Sequence, residues 1–279
     1  MIKHLSMARN VLIALAGLTL AASAHAAPSK RPVPSCTKVS VSSTTTVGAG
    51  ETFDGLEKYG KWVCLVGSTK NMNGSQSEGQ IPHFSLEEGA TLKNVVLGDP
   101  TLGTGKDLKA GGADGVHCKG NCRLENVYWG DIGEDAATME GGAPAGSTMT
   151  VVGGAAYKGA DKIFQNNGNK TRISISDFYA EEAGKLYRSC GNCSSQYVRY
   201  VTVNGVALYN VNAGLGVNSS FDKSKLPALA GQYDVADITD LVTNKSTSSR
   251  CVGYVATSKG NEPKKDKSTS NVARSCQFH

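Results

Sequence analysis

Leu92-Lys93-Asn94-Val95 is the stretch that decides the fold, because its pattern returns along the chain as Leu124-Glu125-Asn126-Val127. The pattern is an apolar residue, any residue, then Asn, Asp or Gly, then an apolar residue. Three more copies follow, the first of them degenerate: Val151-Val152-Gly153-Gly154, Ile175-Ser176-Asp177-Phe178 and Val203-Asn204-Gly205-Val206. Their third positions are 32, 27, 24 and 28 residues apart. Self-similarity at such a period is typical of a solenoid.

These repeats predict an all-β protein built as a parallel β-helix. Each apolar run is too short to bury its own face, whereas stacked coils bury it and pair their backbones with their neighbours. The Gly-rich residues 101–112 are expected to form a loop insertion that lengthens the first interval. A β-sandwich is the alternative, but it needs closely spaced hairpin turns, and Asn-Gly pairs are too sparse here.

The first residues have the pattern of a secretory signal. Lys3 and Arg9 precede an apolar run, and Ala24-His25-Ala26 is a cleavage pattern. We therefore expect a signal peptide at 1–26, an N-terminal segment at 27–45, a single solenoid domain at 46–279, and a secreted protein. The formal net charge falls from +5 to +3 without the signal, which permits a polyanionic partner without requiring one.

All eight cysteines lie beyond the signal, and their even number in a secreted chain predicts disulfides that staple the solenoid. Eight cysteines allow 105 pairings. Cys251 and Cys276 are expected to tie the C-terminal segment back onto the coils. The alternative is a metal site built from Cys118-x3-Cys122 and Cys190-x2-Cys193.

Carboxylates are dense between Ala113 and Glu140, where Asp114, Asp131, Glu134 and Asp135 lie among short apolar runs. Acids at this density repel one another unless a cation neutralises them. Hard oxygen ligands suit Ca²⁺ better than zinc or copper. Turn chemistry explains an isolated Asp equally well, but it explains the adjacent Glu134-Asp135 pair less well.

Eight short motifs, in order along residues 52–209, make the chain resemble the secreted pectate lyases of polysaccharide lyase family 3. They are Thr52-Phe53-Asp54-Gly55, Gly74-Ser75-Gln76-x-Glu78, Leu92-Lys93-Asn94-Val95-Val96, Ala113-Asp114-Gly115-Val116-His117-Cys118, Gly133-Glu134-Asp135-Ala136, Gly153-Gly154-Ala155-Ala156-Tyr157, Asp161-Lys162-x-Phe164-Gln165 and Gly184-Lys185-Leu186-x-Arg188.

The resemblance implies a right-handed parallel β-helix that cleaves polygalacturonate by calcium-dependent β-elimination. It implies Asp114, Glu134 and Asp135 as calcium ligands, with Asp131 as a further candidate. It also implies substrate contacts for Lys185, Glu78 and Asp161. A bound calcium ion would neutralise the uronate carboxylate beside the carbon that loses its proton.

The family uses a basic residue as the proton acceptor, which points to Lys162, with Arg188 as the second candidate. A lysine acts as a base when its surroundings lower its pKa. Arg188 and Lys185 could instead bind uronate carboxylates, for which the planar arginine fork is well shaped. The chain departs from the family at Glu140, where a lysine is common.

Two other functions stay open on the same fold. An inverting pectin hydrolase needs a carboxylic acid and a carboxylate base on either side of a water. A non-catalytic solenoid could bind acidic polysaccharide. We expect a monomer whose partner is polygalacturonate or pectin, with no nucleic-acid or membrane partner.

Overall fold

The computed structural model describes residues 29–77, 79–102 and 110–279. The predicted signal peptide and Glu78 lie outside these ranges. In the described part, no helix is long and apolar enough to cross a bilayer.

The chain is built almost entirely from strands that join one continuous sheet. Two short helices, α1 (Gly55–Tyr59) and α2 (Thr269–Ser275), and a 3₁₀ turn at Pro227–Leu229 are the helical elements among the described residues. The strands are β1 (Thr37–Val41), β2 (Thr45–Val47), β3 (Thr52–Asp54), β4 (Val63–Gly67), β5 (Phe84–Leu86), β6 (Ala90–Leu97), β7 (Val116–Cys118), β8 (Cys122–Trp129), β9 (Ala137–Met139), β10 (Thr148–Val152), β11 (Ala155–Asn166), β12 (Arg172–Ser189), β13 (Tyr200–Phe221), β14 (Val235–Thr243), β15 (Ser249–Ala256), β16 (Lys264–Lys265) and β17 (Cys276–Phe278).

The repeat predicted from the sequence is the repeat of the coils. Its first positions pair in parallel register through the stack and form one buried column, which β14 extends by a further residue. The pairs are Leu92 with Leu124, Leu124 with Val151, Val151 with Ile175, Ile175 with Val203, and Val203 with Ile238. Parallel pairing throughout, apart from the short antiparallel β15–β16 pair, confirms the β-helix over the sandwich in the described part of the chain.

The third position of each repeat turns the chain at a corner of the coil. Asn94, Asn126 and Asp177 have φ of 57°, 51° and 52°, and Gly153 and Gly205 have φ of 68° and 65°. Asn, Asp and Gly are the residues that adopt this left-handed conformation at the lowest cost. This explains why the degenerate copy at Gly153 keeps its place in the repeat.

A second line of parallel strands forms another face of the solenoid and carries the residues of the candidate site. It contains β2, β5, β7 and β9, the C-terminal halves of β11, β12 and β13, and then β15. Trp129 fills the core between the two faces, fully buried and packed edge-on against Phe164 and Phe178.

Each of the four disulfides joins cysteines that are consecutive in the chain. The pairs are Cys36–Cys64, Cys118–Cys122, Cys190–Cys193 and Cys251–Cys276. The last pair ties β15 to β17, as expected for the C-terminal segment. The alternative metal site at Cys118, Cys122, Cys190 and Cys193 is therefore wrong, because their sulfurs are bonded to one another. At the other end, β1 pairs with β4, so parallel pairing begins before residue 46.

Candidate active site

An open cleft of about 750 Å³ runs along the face that carries β7, β9, β11 and β12. Most of the side chains predicted for the site line this cleft: Asp114, Glu134, Asp135, Asp161, Lys162, Lys185 and Arg188. They converge because of the parallel register. Val116 N donates to Ala136 O at 3.0 Å, and Ala136 N donates to Ile163 O at 3.0 Å. Residues just before these positions on three successive coils therefore lie side by side.

Three acids form a compact cluster at one end of the cleft. One carboxylate oxygen from each of Asp114, Glu134 and Asp135 lies within 4.8 Å of the others. Asp135 is buried, and Asp114 Oδ1 is buried without a hydrogen-bond partner. Burial raises the pKa of Asp135 well above its usual range, and the neighbouring carboxylates add to this effect.

The donor set of this cluster fits calcium. Ca²⁺ is bound by oxygens at about 2.3–2.6 Å, so ligand oxygens around one ion lie no more than about 5 Å apart. The unpartnered Asp114 oxygen is the kind of atom that a cation satisfies, because a buried acceptor without a donor is destabilising.

Lys162 lies against the acidic cluster from the next coil. Its Nζ is 3.0 Å from Asp135 Oδ1, 3.3 Å from Glu134 Oε1 and 3.5 Å from Asp161 Oδ2. Burial opposes its charge, but the Asp135, Glu134 and Asp161 carboxylates raise the pKa of Lys162. In this arrangement Lys162 is an ammonium group that partly neutralises the cluster.

Lys185 follows Lys162 one coil later, because the two residues pair in the β11–β12 register. Its Nζ contacts Asp161 Oδ1 at 2.9 Å. Burial favours the neutral acid, but the hydrogen bond from Lys185 and the charge of Lys162 keep the pKa of Asp161 below its usual range. Asp161 therefore links the two lysines in an exposed part of the cleft.

Arg188 is held by neutral groups at the other end of the cleft. Its guanidinium lies 4.1 Å from the centre of the Tyr254 ring, and Nη1 donates to Asn218 Oδ1 at 3.2 Å. Burial lowers the pKa of Arg188. Within the described ranges, no carboxylate forms an ion pair with it.

His117 bridges two acids beside the cluster. Its Nε2 is 2.8 Å from Asp114 Oδ2, and its Nδ1 is 2.6 Å from Glu140 Oε1. Burial opposes protonation, but these two carboxylates raise the pKa of His117 to about 10. Both ring nitrogens of His117 therefore have a carboxylate partner. Glu140, the residue at which the sequence departs from the expected pattern, is its second partner.

One predicted site residue in the described part of the chain does not join these groups. Asp131 is buried, does not line the cleft and is not one of the three clustered acids. Burial raises its pKa to about 7. Glu78 lies outside the described residues.

The cleft also contains residues that the sequence did not assign to the active site. Cys190–Ser194 and the C-terminal residues Tyr254, Lys259, Glu262 and Pro263 complete its wall. The C-terminal residues come from the part of the chain with the weakest motifs. Tyr254 comes from β15, and Lys259, Glu262 and Pro263 lie between β15 and β16.

Comparison with known proteins gives one consistent result. The family model described as Pectate lyase matches residues 29–260. A probable pectate lyase F of Aspergillus terreus is 40% identical over 220 residues, which cover 78% of this chain and 81% of the relative. A probable pectate lyase E of Aspergillus clavatus is 36% identical over 262 residues, which cover 92% of this chain and 89% of the relative.

Two solved structures are similar over most of the chain. The catalytic domain of pectate lyase PelI from Erwinia chrysanthemi has a TM-score of 0.57 at 27% identity and covers 85% of this chain and 100% of that domain. Pectate lyase Pel3 from Pectobacterium carotovorum has a TM-score of 0.59 at 28% identity and covers 82% of this chain and 67% of its own.

Proposed function

The chain belongs to the pectate lyase family, and on that premise we propose that the cleft described above carries out the family's reaction on (1,4)-α-D-galacturonan. That reaction is calcium-dependent β-elimination, which gives 4,5-unsaturated oligogalacturonates. The observation that carries the assignment is the cluster of Asp114, Glu134 and Asp135 within 4.8 Å, with Lys162 beside it. A similar protein, PelI, has been solved in complex with tetragalacturonic acid.

The three clustered acids are the proposed calcium ligands, and Asp131 stays a weaker candidate. When bound, calcium supplies positive charge that neutralises the uronate carboxylate and disfavours the protonated form of Lys162. The chain's own residues then have to bind the substrate, take up one proton and keep the sugar oriented.

Lys162 is the proposed base. Its Nζ accepts the C5 proton in the neutral amine form, which bound calcium would favour by neutralising the clustered acids. The electron pair of the C5–H bond forms the C4–C5 double bond, and the C4–O bond breaks. The leaving oxygen stays on C1 of the preceding sugar, gains a proton from water and becomes the hydroxyl group of the new reducing end. The sugar that now carries the C4–C5 double bond is the new non-reducing end. Lys162 is supported by its position beside the cluster, 3.0 Å from Asp135, because the proton to be removed lies next to the carboxylate that calcium neutralises. Arg188 is the second candidate.

Arg188, Lys185 and Asp161 are proposed to bind substrate. Arg188 offers a planar fork that matches a carboxylate and has no competing ion pair among the described residues. Lys185 supplies a point charge to the same cleft. Asp161 orients Lys185, because its Oδ1 lies 2.9 Å from Lys185 Nζ. Glu78 remains a predicted substrate contact.

We propose a right-handed coil, secretion directed by residues 1–26 and a monomeric enzyme. Four disulfides among the eight cysteines support an oxidising compartment.

The test is the chemistry of the product. The chain is incubated with polygalacturonate and calcium, and both ultraviolet absorbance of the unsaturated uronide and new reducing ends are followed. We expect absorbance and reducing ends to rise together, to stop on chelation and to resume with added calcium.

Reducing ends without absorbance would favour the inverting hydrolase, and binding without product would favour the non-catalytic solenoid. Inverting enzymes need carboxyl groups about 6.5–9.5 Å apart. The three clustered acids lie closer together, so no two of them form such a pair.

A further inference from the structure

Arg188 is a cation that the protein orients without neutralising. One side of its guanidinium lies against the Tyr254 ring at 4.1 Å, and Nη1 donates to Gly216 O at 3.4 Å and to Asn218 Oδ1 at 3.2 Å. All three contacts are to uncharged groups. They fix the plane of the guanidinium and leave its charge available to a carboxylate in the cleft.

The orientation of the Asn218 side chain is fixed by hydrogen bonds on the side away from Arg188. It is fully buried, its backbone N donates to Asp234 Oδ2 at 2.8 Å, and its Nδ2 donates to Cys190 O at 3.0 Å. Because the amide nitrogen must face a carbonyl, the amide oxygen faces Arg188. Asp234 is itself held by the backbone N of Arg199 at 2.8 Å.

Tyr254 comes from the last coil of the solenoid. In the register of β13 and β15, Tyr254 pairs with Asn218 and Val252 with Gly216. Gly216 has no side chain, which leaves room for Arg188 of β12 to pack against Tyr254 of β15. A Cβ at that position would lie 2.9 Å from Arg188 Cδ and 3.3 Å from the Tyr254 ring. The Cys251–Cys276 disulfide ties this coil to β17.

We propose that Asn218 and Tyr254 are positioning residues that hold Arg188 in the orientation in which it binds a uronate carboxylate of the substrate. Stacking on an aromatic face and a neutral acceptor restrict the guanidinium while its charge is retained. The C-terminal coil is thereby part of the active site. This inference rests on the proposed function, because it takes substrate binding by Arg188 as given.

Two variants disturb the contacts in different ways. Asn218→Asp keeps an acceptor oxygen but places a carboxylate next to Arg188, so the guanidinium is neutralised internally. Tyr254→Leu removes the ring face and keeps an apolar side chain, and Tyr254→Phe restores the face. Tyr233→Leu is the matched control, because Tyr233 makes the same contact with Arg274 at 4.0 Å outside the cleft lining.

The experiment measures KM and kcat on polygalacturonate at saturating calcium, with thermal unfolding of each variant as the check on folding. We expect Arg188→Ala and Asn218→Asp to raise KM by at least about tenfold, as for loss of a charge-assisted hydrogen bond. Tyr254→Leu raises KM by at least about threefold, consistent with a cation–π contact. In all three, kcat changes less than KM. Tyr254→Phe and Tyr233→Leu keep the parent KM.

The same substitutions are then made in Arg188→Ala protein. If they act through Arg188, they raise KM no further there, because the effects of coupled residues do not add. Undiminished effects in that background, or parent KM values for Asn218→Asp and Tyr254→Leu in otherwise parent protein, would overturn the inference. Parent kinetics for Arg188→Ala itself would instead refute the role of Arg188 in the proposed function.

Discussion

If the clustered acids bind calcium as proposed, Lys162 and the calcium ion compete for the same carboxylates, and calcium-binding measurements test this competition separately from activity. Replacing Lys162 by Met removes the ammonium group and keeps most of the side-chain volume. We expect the Lys162→Met protein to lose lyase activity and yet to bind calcium more tightly than the parent.

The magnitude follows from the contacts. Lys162 Nζ lies 3.0 Å from Asp135 and 3.3 Å from Glu134, and at an effective dielectric constant of about 20 each contact has a gross attraction of about 5 kcal/mol. Desolvation offsets most of that attraction in a buried pair. A net release of about 1.4–2.8 kcal/mol corresponds to ten- to hundredfold tighter calcium binding. Without calcium, the uncompensated acids destabilise the variant by about 3 kcal/mol.

The assay is calorimetric titration of chelator-treated protein with calcium, together with urea unfolding at low and saturating calcium. Lys185→Met is the matched control, because Lys185 pairs with Asp161 at 2.9 Å and not with the clustered acids, and it should change calcium affinity by less than about threefold. Calcium binding by Lys162→Met that is unchanged or weaker than the parent would refute the competition.

Three further outcomes can be measured with simpler variants. Asp135→Asn should weaken calcium binding at least about tenfold by titration calorimetry, since it removes the most buried charged ligand; parent affinity would count against the cluster. Burial lowers the pKa of His83 to about 4, so its contribution to stability is complete above pH 6.5 and is lost as pH falls toward 4. That loss is about 3 kcal/mol, and His83→Gln should flatten the urea-unfolding profile over this range. The double variant Cys251→Ala with Cys276→Ala, which opens a loop of sequence separation 25, should lose about 3 kcal/mol; an unchanged unfolding midpoint would contradict this.

The coil period could be predicted from the sequence because each coil repeats the same local conformational requirement. Each corner needs a residue that tolerates positive φ, and Asn94, Asn126 and Gly153 supply it at φ of 57°, 51° and 68°. The first position of each copy faces the core, so Leu92 and Leu124 lie in one column. A local conformational rule repeated at a regular interval is sufficient to predict a solenoid.

The acidic end of the cleft was predictable for a similar reason. Asp114 and the Glu134-Asp135 pair stand just before β7 and β9, and parallel register brings such positions together. The pairing of the cysteines, in contrast, could not be predicted from the sequence. Eight cysteines leave many pairings open, and the choice depends on distances between coils that no spacing in the sequence gives.

The positioning of Arg188 could not be predicted, because it depends on neutral residues from two later coils. Asn218 and Tyr254 are common residue types, and their role appears only when β13 and β15 are stacked. Glu140 stood out in the sequence as a missing cation. The structure adds that it accepts a contact from His117 at 2.6 Å, which is a pairing between side chains rather than a motif.

The central claim is that the acidic cluster binds calcium while Lys162 removes the proton. The most direct measurement is the rate of unsaturated product formation by Lys162→Met at saturating calcium, with folding and calcium occupancy verified on the same sample. Loss of a general base lowers rates by about 10²–10⁴-fold, and we predict a loss in that range while calcium remains bound. A folded, calcium-loaded Lys162→Met protein that forms unsaturated product at close to the parent rate would contradict the account.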